Sequence, residues 1–370
     1  MLIGIPKEIK DHEYRVGLTP AGVGALVADG HEVKVESGAG APIGFGDDTY
    51  RAAGAKIARS AAEVYACPMI VKVKEPQPAE IPLLREGQVL FTYLHLAADA
   101  ELTRQLVERK IVGIAYETVT DAQGALPLLT PMSEVAGRVA VQAGATALQM
   151  ANGGNGTLLG GVPGVAPGRV VILGAGTVGT QAARMAVGLG ADVTILDVNL
   201  SRLRYLDDAF GPRLKTHYSE PHAIAALTRE ADLVVGSVLI PGKRAPKLLT
   251  RNTVRAMKPG SVLVDVAIDQ GGCSETSRPT THSAPTYIEE GVVHYCVTNM
   301  PAACARTATQ ALTHATLPYA RQLANQGYRL ALKETPGLAN GLNLHLGQVT
   351  HPSVAADLEY TFVPPREAIA

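Results

Sequence analysis

Short runs of β-branched and other apolar residues recur along the chain, each followed by a stretch whose apolar positions fall at helical spacing. That alternation predicts parallel sheets flanked by helices, an α/β fold. In the first third the expected strands are Leu2 to Ile5, Glu32 to Val35, Met69 to Val73, Val89 to Tyr93 and Ile111 to Ala115. In the middle they are Arg169 to Leu173, Val193 to Leu196, Leu233 to Gly236 and Ser261 to Asp265. The sets share a plan: a strand ending in Lys74-Glu75-Pro76 is followed by Gly87-Gln88-Val89-Leu90 and His95, while Val234-Val235, leading to Pro241-Gly242, is followed by Gly260-Ser261-Val262-Leu263 and Asp269. We therefore expect two doubly wound Rossmann-like domains separated by a cleft. Such sheets bind ligands beyond the carboxyl ends of their strands, which puts His95 and Asp269 on opposite walls of that cleft.

Between the two sets, Thr130-Pro131-Met132-Ser133-Glu134 opens an Ala- and Val-rich stretch running to about Ala151. Thr130 is a candidate cap and Pro131 suits a first helical turn, so a connecting helix is expected. The glycine-rich segment from Asn152 to Gly168 reads as an ordered loop. After Asn299 the pattern is helical through Ala320 and Ala331, too short for a third domain and expected to pack back on the first.

Composition narrows the class. Of 370 residues 46% are hydrophobic and 18% charged, which describes a globular chain able to bury a large core. Lys and Arg (33) balance Asp and Glu (34), so no global field draws nucleic acid or an anionic membrane. The longest uncharged run, between Arg138 and Arg169, is interrupted by Gln142, Gln149, Asn152, Asn155, several glycines and two prolines, unlike a membrane span. The start has no apolar leader core or cleavage site, so a cytoplasmic protein is expected. Cys67, Cys273, Cys296 and Cys304 match no metal-ligand spacing and read as reduced, structural thiols; no metal is expected.

The sharpest motif is Gly174-Ala175-Gly176-Thr177-Val178-Gly179, directly after an apolar strand and before a helical pattern. Gly174 permits the tight turn, Gly176 lets backbone amides approach a pyrophosphate, and Gly179 allows close helix-to-strand packing. Asp197 ends the next strand, where a carboxylate accepts hydrogen bonds from ribose hydroxyls and repels a 2′-phosphate, favouring NAD. Arg202 is either a solvated first-turn charge or a lid over the adenosine. Lys72 and Lys74 alternate with Val71 and Val73 and so share one side of a strand; Lys74, nearer its end, is the expected substrate cation. Arg15 offers the planar fork that binds a carboxylate. His95 has the chemistry to exchange a proton during hydride transfer, and Asp269 follows the strand that should end beside the nicotinamide, with Asp265 as a structural partner. Cys273 lies near this turn and reads as structural rather than nucleophilic. Ser133 is either a helix-entry residue only or also a phosphate contact. The expected organisation is a discontinuous substrate domain, 1–128 with 305–370, and a nucleotide-binding domain, 129–304.

The ordered set Ile3-Gly4-Ile5-Pro6-Lys7-Glu8, Glu13-Tyr14-Arg15-Val16, Val71-Lys72-Val73-Lys74-Glu75-Pro76, Tyr93-Leu94-His95-Leu96, Pro131-Met132-Ser133-Glu134, Gly160-Gly161-Val162-Pro163-Gly164, the glycine fingerprint, Asp265-Val266-Ala267-Ile268-Asp269-Gln270-Gly271-Gly272 and Asn299-Met300-Pro301 resembles the bacterial L-alanine dehydrogenases end to end. The resemblance implies reversible NAD-dependent deamination of L-alanine to pyruvate and ammonium by a homohexamer. It implies substrate contacts at Arg15 and Lys74 and a catalytic pair His95 and Asp269. It further implies cofactor contacts at Ser133, Thr177, Val178, Asp197, Arg202, Ser219, Val238, Leu239, Ile268, Asp269, Arg278 and Met300. Two places depart from the family pattern, Asn155 in the Gly-Gly-x-Gly loop and the stretch Ala302 to Arg306. The competing readings are the NAD(H)-binding component of proton-translocating transhydrogenase, which resembles the same family, and a catalytically idle NAD-binding protein.

Overall fold

A computed structural model of the chain describes residues 1–238 and 245–370. It divides into two compact units, Met1–Met132 with Ala305–Ala370, and Ser133–Cys304. The first unit begins with β1 (Leu2–Ile5), β2 (Glu32–Glu36), β3 (Lys56–Ala58), β4 (Met69–Val71), β5 (Val89–Thr92) and β6 (Val112–Ala115). The second holds β7 (Arg169–Leu173), β8 (Asp192–Asp197), β9 (Lys215–Tyr218), β10 (Leu233–Gly236), β11 (Val262–Asp265), β12 (Thr286–Glu289) and β13 (Val292–Tyr295). The returning chain adds β14 (Leu342–His345) and β15 (Gln348–Val349) to the first.

The first sheet has eight strands in the order β15-β14-β6-β5-β4-β1-β2-β3, and the second has seven, β12-β13-β11-β10-β7-β8-β9. Pairing is parallel except where β14 meets β6 and β15 and where β12 meets β13. Strands β4, β5, β6, β10 and β11 are buried along their whole length, which explains their unbroken apolar runs. In each sheet the chain winds outward one way and then crosses to the other side of its first strand. The strand order therefore reverses between β1 and β4, and again between β7 and β10. The carboxyl ends at these two places are where such sheets open a ligand crevice.

Several elements differ from the sequence pattern. Strand β4 stops at Val71, because the N–H groups of Val73 and Lys74 donate to Glu8 Oε1 at 2.6 and 3.2 Å. Lys72 leaves the expected alternation with Lys74: it is fully buried, with Nζ 2.9 Å from Glu8 and 3.3 Å from Glu80. Burial works against its ammonium, yet the two carboxylates outweigh burial and hold the Lys72 pKa above the usual lysine value. Thr130 lies inside its helix, Thr130–Ala147, and its hydroxyl donates back to the Leu126 carbonyl instead of capping. That helix ends before a short turn at Met150–Asn152, short of the expected Ala151. Strands β3, β9 and β12 to β15 fall outside the expected set; β9 reads Lys-Thr-His-Tyr, an exposed edge with no apolar run.

The helix Ala305–Gln326 of the returning segment supports the site-bearing end of the first sheet. Its Thr309 and Thr313 hydroxyls accept from the backbone N–H groups of Val16 and Thr19 at 3.3 and 3.1 Å. A side chain at Gly22 would collide with Thr313, so the helix Pro20–Ala28 approaches closely. Among the described residues no helix is long and apolar enough to cross a membrane.

Replacing Lys72 by Met would leave Glu8 and Glu80 buried without their cation. We expect a loss of about 3–5 kcal/mol, read from the midpoint of denaturant unfolding; an unchanged midpoint would mean the cluster contributes nothing to stability.

Candidate active site

In the first unit, four strands deliver polar residues to the same carboxyl-end edge of the sheet. Arg15 follows β1, Lys74 follows β4, His95 follows β5 and Glu117 follows β6. Gly17 makes the approach of the first two possible: a Cβ there would sit 2.4 Å from the Val71 carbonyl, so only glycine lets this segment lie on the end of β4. Arg15 is buried and one edge of its guanidinium is already used, Nε and Nη2 donating to Glu13 at 2.7 and 2.6 Å. Its Nη1 lies 3.1 Å from Met132 Sδ. The expected fork is therefore engaged by Glu13, which holds the guanidinium in place.

Lys74 is half-buried, and among the described residues its Nζ has no hydrogen-bond partner. Burial lowers its pKa, and the neighbouring Arg15 lowers it further against the opposing pull of Glu75. Two cations side by side, one of them without an internal anion, make a local site for a carboxylate. Glu75 itself is tied to Lys10.

His95 occupies a left-handed turn, φ 50°, between β5 and the short turn Leu96–Ala98. A side chain rarely adopts that region outside sites that need it, at a cost on the order of 1 kcal/mol. Glu117 offsets the cost: its Oε1 accepts from the His95 N–H at 2.6 Å and from the Leu94 N–H at 3.1 Å. The same oxygen stands 3.8 Å from His95 Nδ1. Tyr93 stacks parallel to the imidazole, centroids 5.8 Å apart, and donates its hydroxyl to the Leu128 carbonyl. Glu117 is the candidate site residue that sequence reasoning missed. The available signal was positional, since it follows a buried strand just as Lys74 and His95 do.

In the second unit the fingerprint sits at the strand reversal. A Cβ at Gly174 would lie 3.0 Å from the Ser237 backbone, and one at Gly179 would lie 1.8 Å from the Gly174 carbonyl, so both glycines are demanded by close packing. A Cβ at Gly176 meets nothing within 4 Å. Gly176 also caps the helix Thr177–Gly188 without any side-chain acceptor, leaving first-turn N–H groups for an anion. Those features fit the diphosphate of a dinucleotide. Ala175 is held at both of its backbone polar groups: Asp197 Oδ2 accepts its N–H at 2.6 Å and Arg202 Nε donates to its carbonyl at 2.7 Å. Arg202 also donates to Thr180 at 2.8 Å, so part of its guanidinium is spent as a strut under the fingerprint turn.

Some of the other expected contacts border this turn. Gly137 packs on the Val178 carbonyl, and Ser133, one helical turn earlier, shares its face of the helix. The Ser219 N–H donates to the Asp197 carbonyl, and Val238 backs Gly174. Ile268 and Asp269 lie in the turn Val266–Gln270 that follows β11; Ile268 is buried and Asp269 exposed. Arg278 lies 3.9 Å over the Tyr287 ring. Met300 is buried, with little surface to offer a ligand. Leu239 lies outside the described residues. Asp265 is buried and anchors the turn, accepting from the N–H groups of Ala267 and Cys273 and from the Ser277 hydroxyl. Cys273 is fully buried, and burial together with Asp265 pushes its thiol well above the usual cysteine range, which suits a structural thiol. Asn155 stitches its loop, its N–H donating to the Gly260 carbonyl at 2.8 Å and its amide reaching Asp232. Arg306, in the second departure, donates to the Ile43 carbonyl.

A glycine cradle with its carboxylate in one doubly wound unit, and paired cations beside a glutamate-held histidine in the other, define a nicotinamide-cofactor oxidoreductase. Residues 4–136 match the family model described as alanine dehydrogenase/PNT, N-terminal domain, and residues 140–352 match its C-terminal domain. An alanine dehydrogenase of Halomonas elongata is 56% identical over 363 residues, 97% of this chain and 98% of that protein. A solved L-alanine dehydrogenase superposes with a TM-score of 0.95 at 54% identity, covering 97% of this chain and 99% of the other. A transhydrogenase from Sinorhizobium meliloti superposes at 0.81 with 26% identity, covering 95% and 100%. The chain belongs to the alanine dehydrogenase/PNT family.

Two outcomes test the site. Gly176→Ala should leave the melting temperature unchanged but weaken NADH binding measured by fluorescence, whereas Gly179→Ala should lower both, because only the second side chain meets protein. Since Lys74 loses its proton at lower pH than an ordinary lysine, kcat/KM for the amino acid should fall on the alkaline side below the usual lysine pKa of about 10.4. Lys74→Arg should shift that limb upward.

Proposed function

We propose that the protein is an NAD-dependent L-alanine dehydrogenase that interconverts L-alanine with pyruvate and ammonium. The observation that carries the reading is the edge of the first sheet, where Lys74 and Arg15 stand beside a histidine supported by Glu117. A coupling module that only binds NAD(H) has no use for a carboxylate site joined to a proton-transfer group.

In this reading Lys74, with Arg15 beside it, holds the substrate carboxylate and so orients Cα. A bound nicotinamide supplies the hydride acceptor, held by the Gly174 to Gly179 turn with Asp197, and by Ser133, Thr177, Val178, Arg202, Ser219, Val238, Leu239, Ile268, Arg278 and Met300 as far as each reaches it. Once the substrate ammonium has given up one proton to solvent, loss of the Cα hydrogen with its electron pair leaves an iminium, and addition of water gives a carbinolamine that collapses to the oxo acid and ammonia, which takes up a proton as ammonium. His95 takes the proton from the attacking water and returns one to the departing nitrogen, while Glu117 steadies the imidazolium. Asp269 offsets the positive charge that develops on the imine nitrogen. The Asp197 carboxylate, with Arg202 engaged below it, supports NAD over its 2′-phosphorylated form. All four cysteines are free thiols, which supports a cytoplasmic location, and the family resemblance supports a homohexamer.

The test is absorbance of the reduced nicotinamide with L-alanine and NAD, and in reverse with pyruvate, ammonium and NADH. Reduction by alanine, and reoxidation only when ammonium accompanies pyruvate, is the expected result. His95→Ala should lose at least about a hundredfold in turnover while still binding NADH. Silence in both directions with NADH still bound would favour the transhydrogenase-like reading that the Sinorhizobium meliloti structure suggests.

A further inference from the structure

The turn that carries Asp269 ends in two consecutive glycines with left-handed backbones, Gly271 at φ 90° and Gly272 at φ 75°. The carbonyls of Gly271, Gly272 and Ser274 all converge on one point, and that point is the Lys247 ammonium. Its Nζ lies 2.5, 2.9 and 2.9 Å from the three oxygens. An ammonium has three donors, so the match is complete: three N–H bonds meet three backbone acceptors, and no carboxylate is involved. The rest of the segment 245–249 runs beside the same turn. The Ala245 N–H donates to the Gln270 carbonyl, and the Leu248 and Leu249 N–H groups share the Cys273 carbonyl.

On its inner side the turn hangs from the Asp265 carboxylate, and a Cβ on Gly272 would lie 2.8 Å from Asp265 Oδ2. The loop between Asp265 and Ser277 is thus clamped by an anion taking its N–H groups from within and by a cation collecting its carbonyls from outside. Neither group is a candidate to touch substrate. Both fix the path of the backbone that presents Asp269.

We propose that Lys247 is a positioning residue for Asp269, acting through the Gly271-Gly272 turn. The inference rests on the reading of Asp269 as a residue that faces the reacting substrate. A misplacement of about 1 Å at such a residue costs up to roughly a hundredfold in rate, so turnover is the sensitive quantity and not cofactor affinity. Lysine is specified by the three converging acceptors, because the planar fork of arginine cannot meet them all.

The experiment compares the wild type with Lys247→Met, which keeps the stem and removes the donors, and with Lys247→Arg, which keeps the charge. For Lys247→Met we expect kcat for L-alanine to fall about 10- to 100-fold, with the NADH dissociation constant unchanged and faster amide hydrogen exchange confined to residues 266–274. Lys247→Arg should fall between the two proteins in both readouts. Unchanged exchange in Lys247→Met overturns the proposal whatever the turnover. Faster exchange with unaltered kcat, or a lowered melting temperature with unaltered kcat, reduces Lys247 to a stabilising contact and overturns it equally. Absence of alanine turnover in the wild type instead overturns the functional reading and, with it, the catalytic consequence assigned here, leaving exchange to decide whether Lys247 orders the turn.

Discussion

The buried Glu8 carboxylate governs the geometry of the first unit. One of its oxygens takes the Lys72 ammonium, and the other takes the N–H groups of Val73 and Lys74. The end of β4 is thereby fastened to the segment that follows β1, across the place where the strand order reverses. Burial raises the Glu8 pKa, which Lys72 and the Val73 N–H oppose, so the ionised pair persists only as a fully bonded unit. The Lys74 backbone is held by Glu8, while its half-buried ammonium stands among Arg15, Glu75, Lys10 and Glu13. Of two lysines two positions apart, one is spent on the fold and the other is left to the candidate site.

The second unit uses the same economy around the Ala175 peptide. Glycine at 174 and 179 brings helix and strands close enough for a turn with no side chains, and such a turn has few contacts of its own. Asp197 and Arg202 replace them by holding the N–H and the carbonyl of one residue, Ala175. The carboxylate that would read the ribose is also the one that shapes the cradle, so cofactor choice and loop geometry are linked through a single residue.

His95 illustrates how strain is tolerated where chemistry needs it. A left-handed histidine is unfavourable alone, but the turn aims two N–H groups at Glu117 and lays the ring along Tyr93. The glutamate then serves the backbone and the imidazole together. Asp265 serves the Asp269 turn in the corresponding way, with Lys247 on its far side.

The core strands, the glycine fingerprint with Asp197, and His95, Lys74 and Asp269 as polar residues beyond strand ends were legible in the chain, because burial on both faces forces continuous apolar runs and a diphosphate cradle forces glycine spacing. The regular strand that would have set Lys72 beside Lys74 ends at Val71, where Glu8, 64 residues from Lys72, takes the Lys72 ammonium and the N–H groups of Val73 and Lys74. Edge strands such as β9 left no mark because their partners, not their own side chains, make them strands. Glu117, the engagement of Arg15 by Glu13 and the strut at Arg202 all depend on which groups meet after folding. Residue type and local spacing determine which elements form and what chemistry is carried; distances between charges far apart in sequence, and hence which of them are spent on structure, are decided only when the sheets assemble.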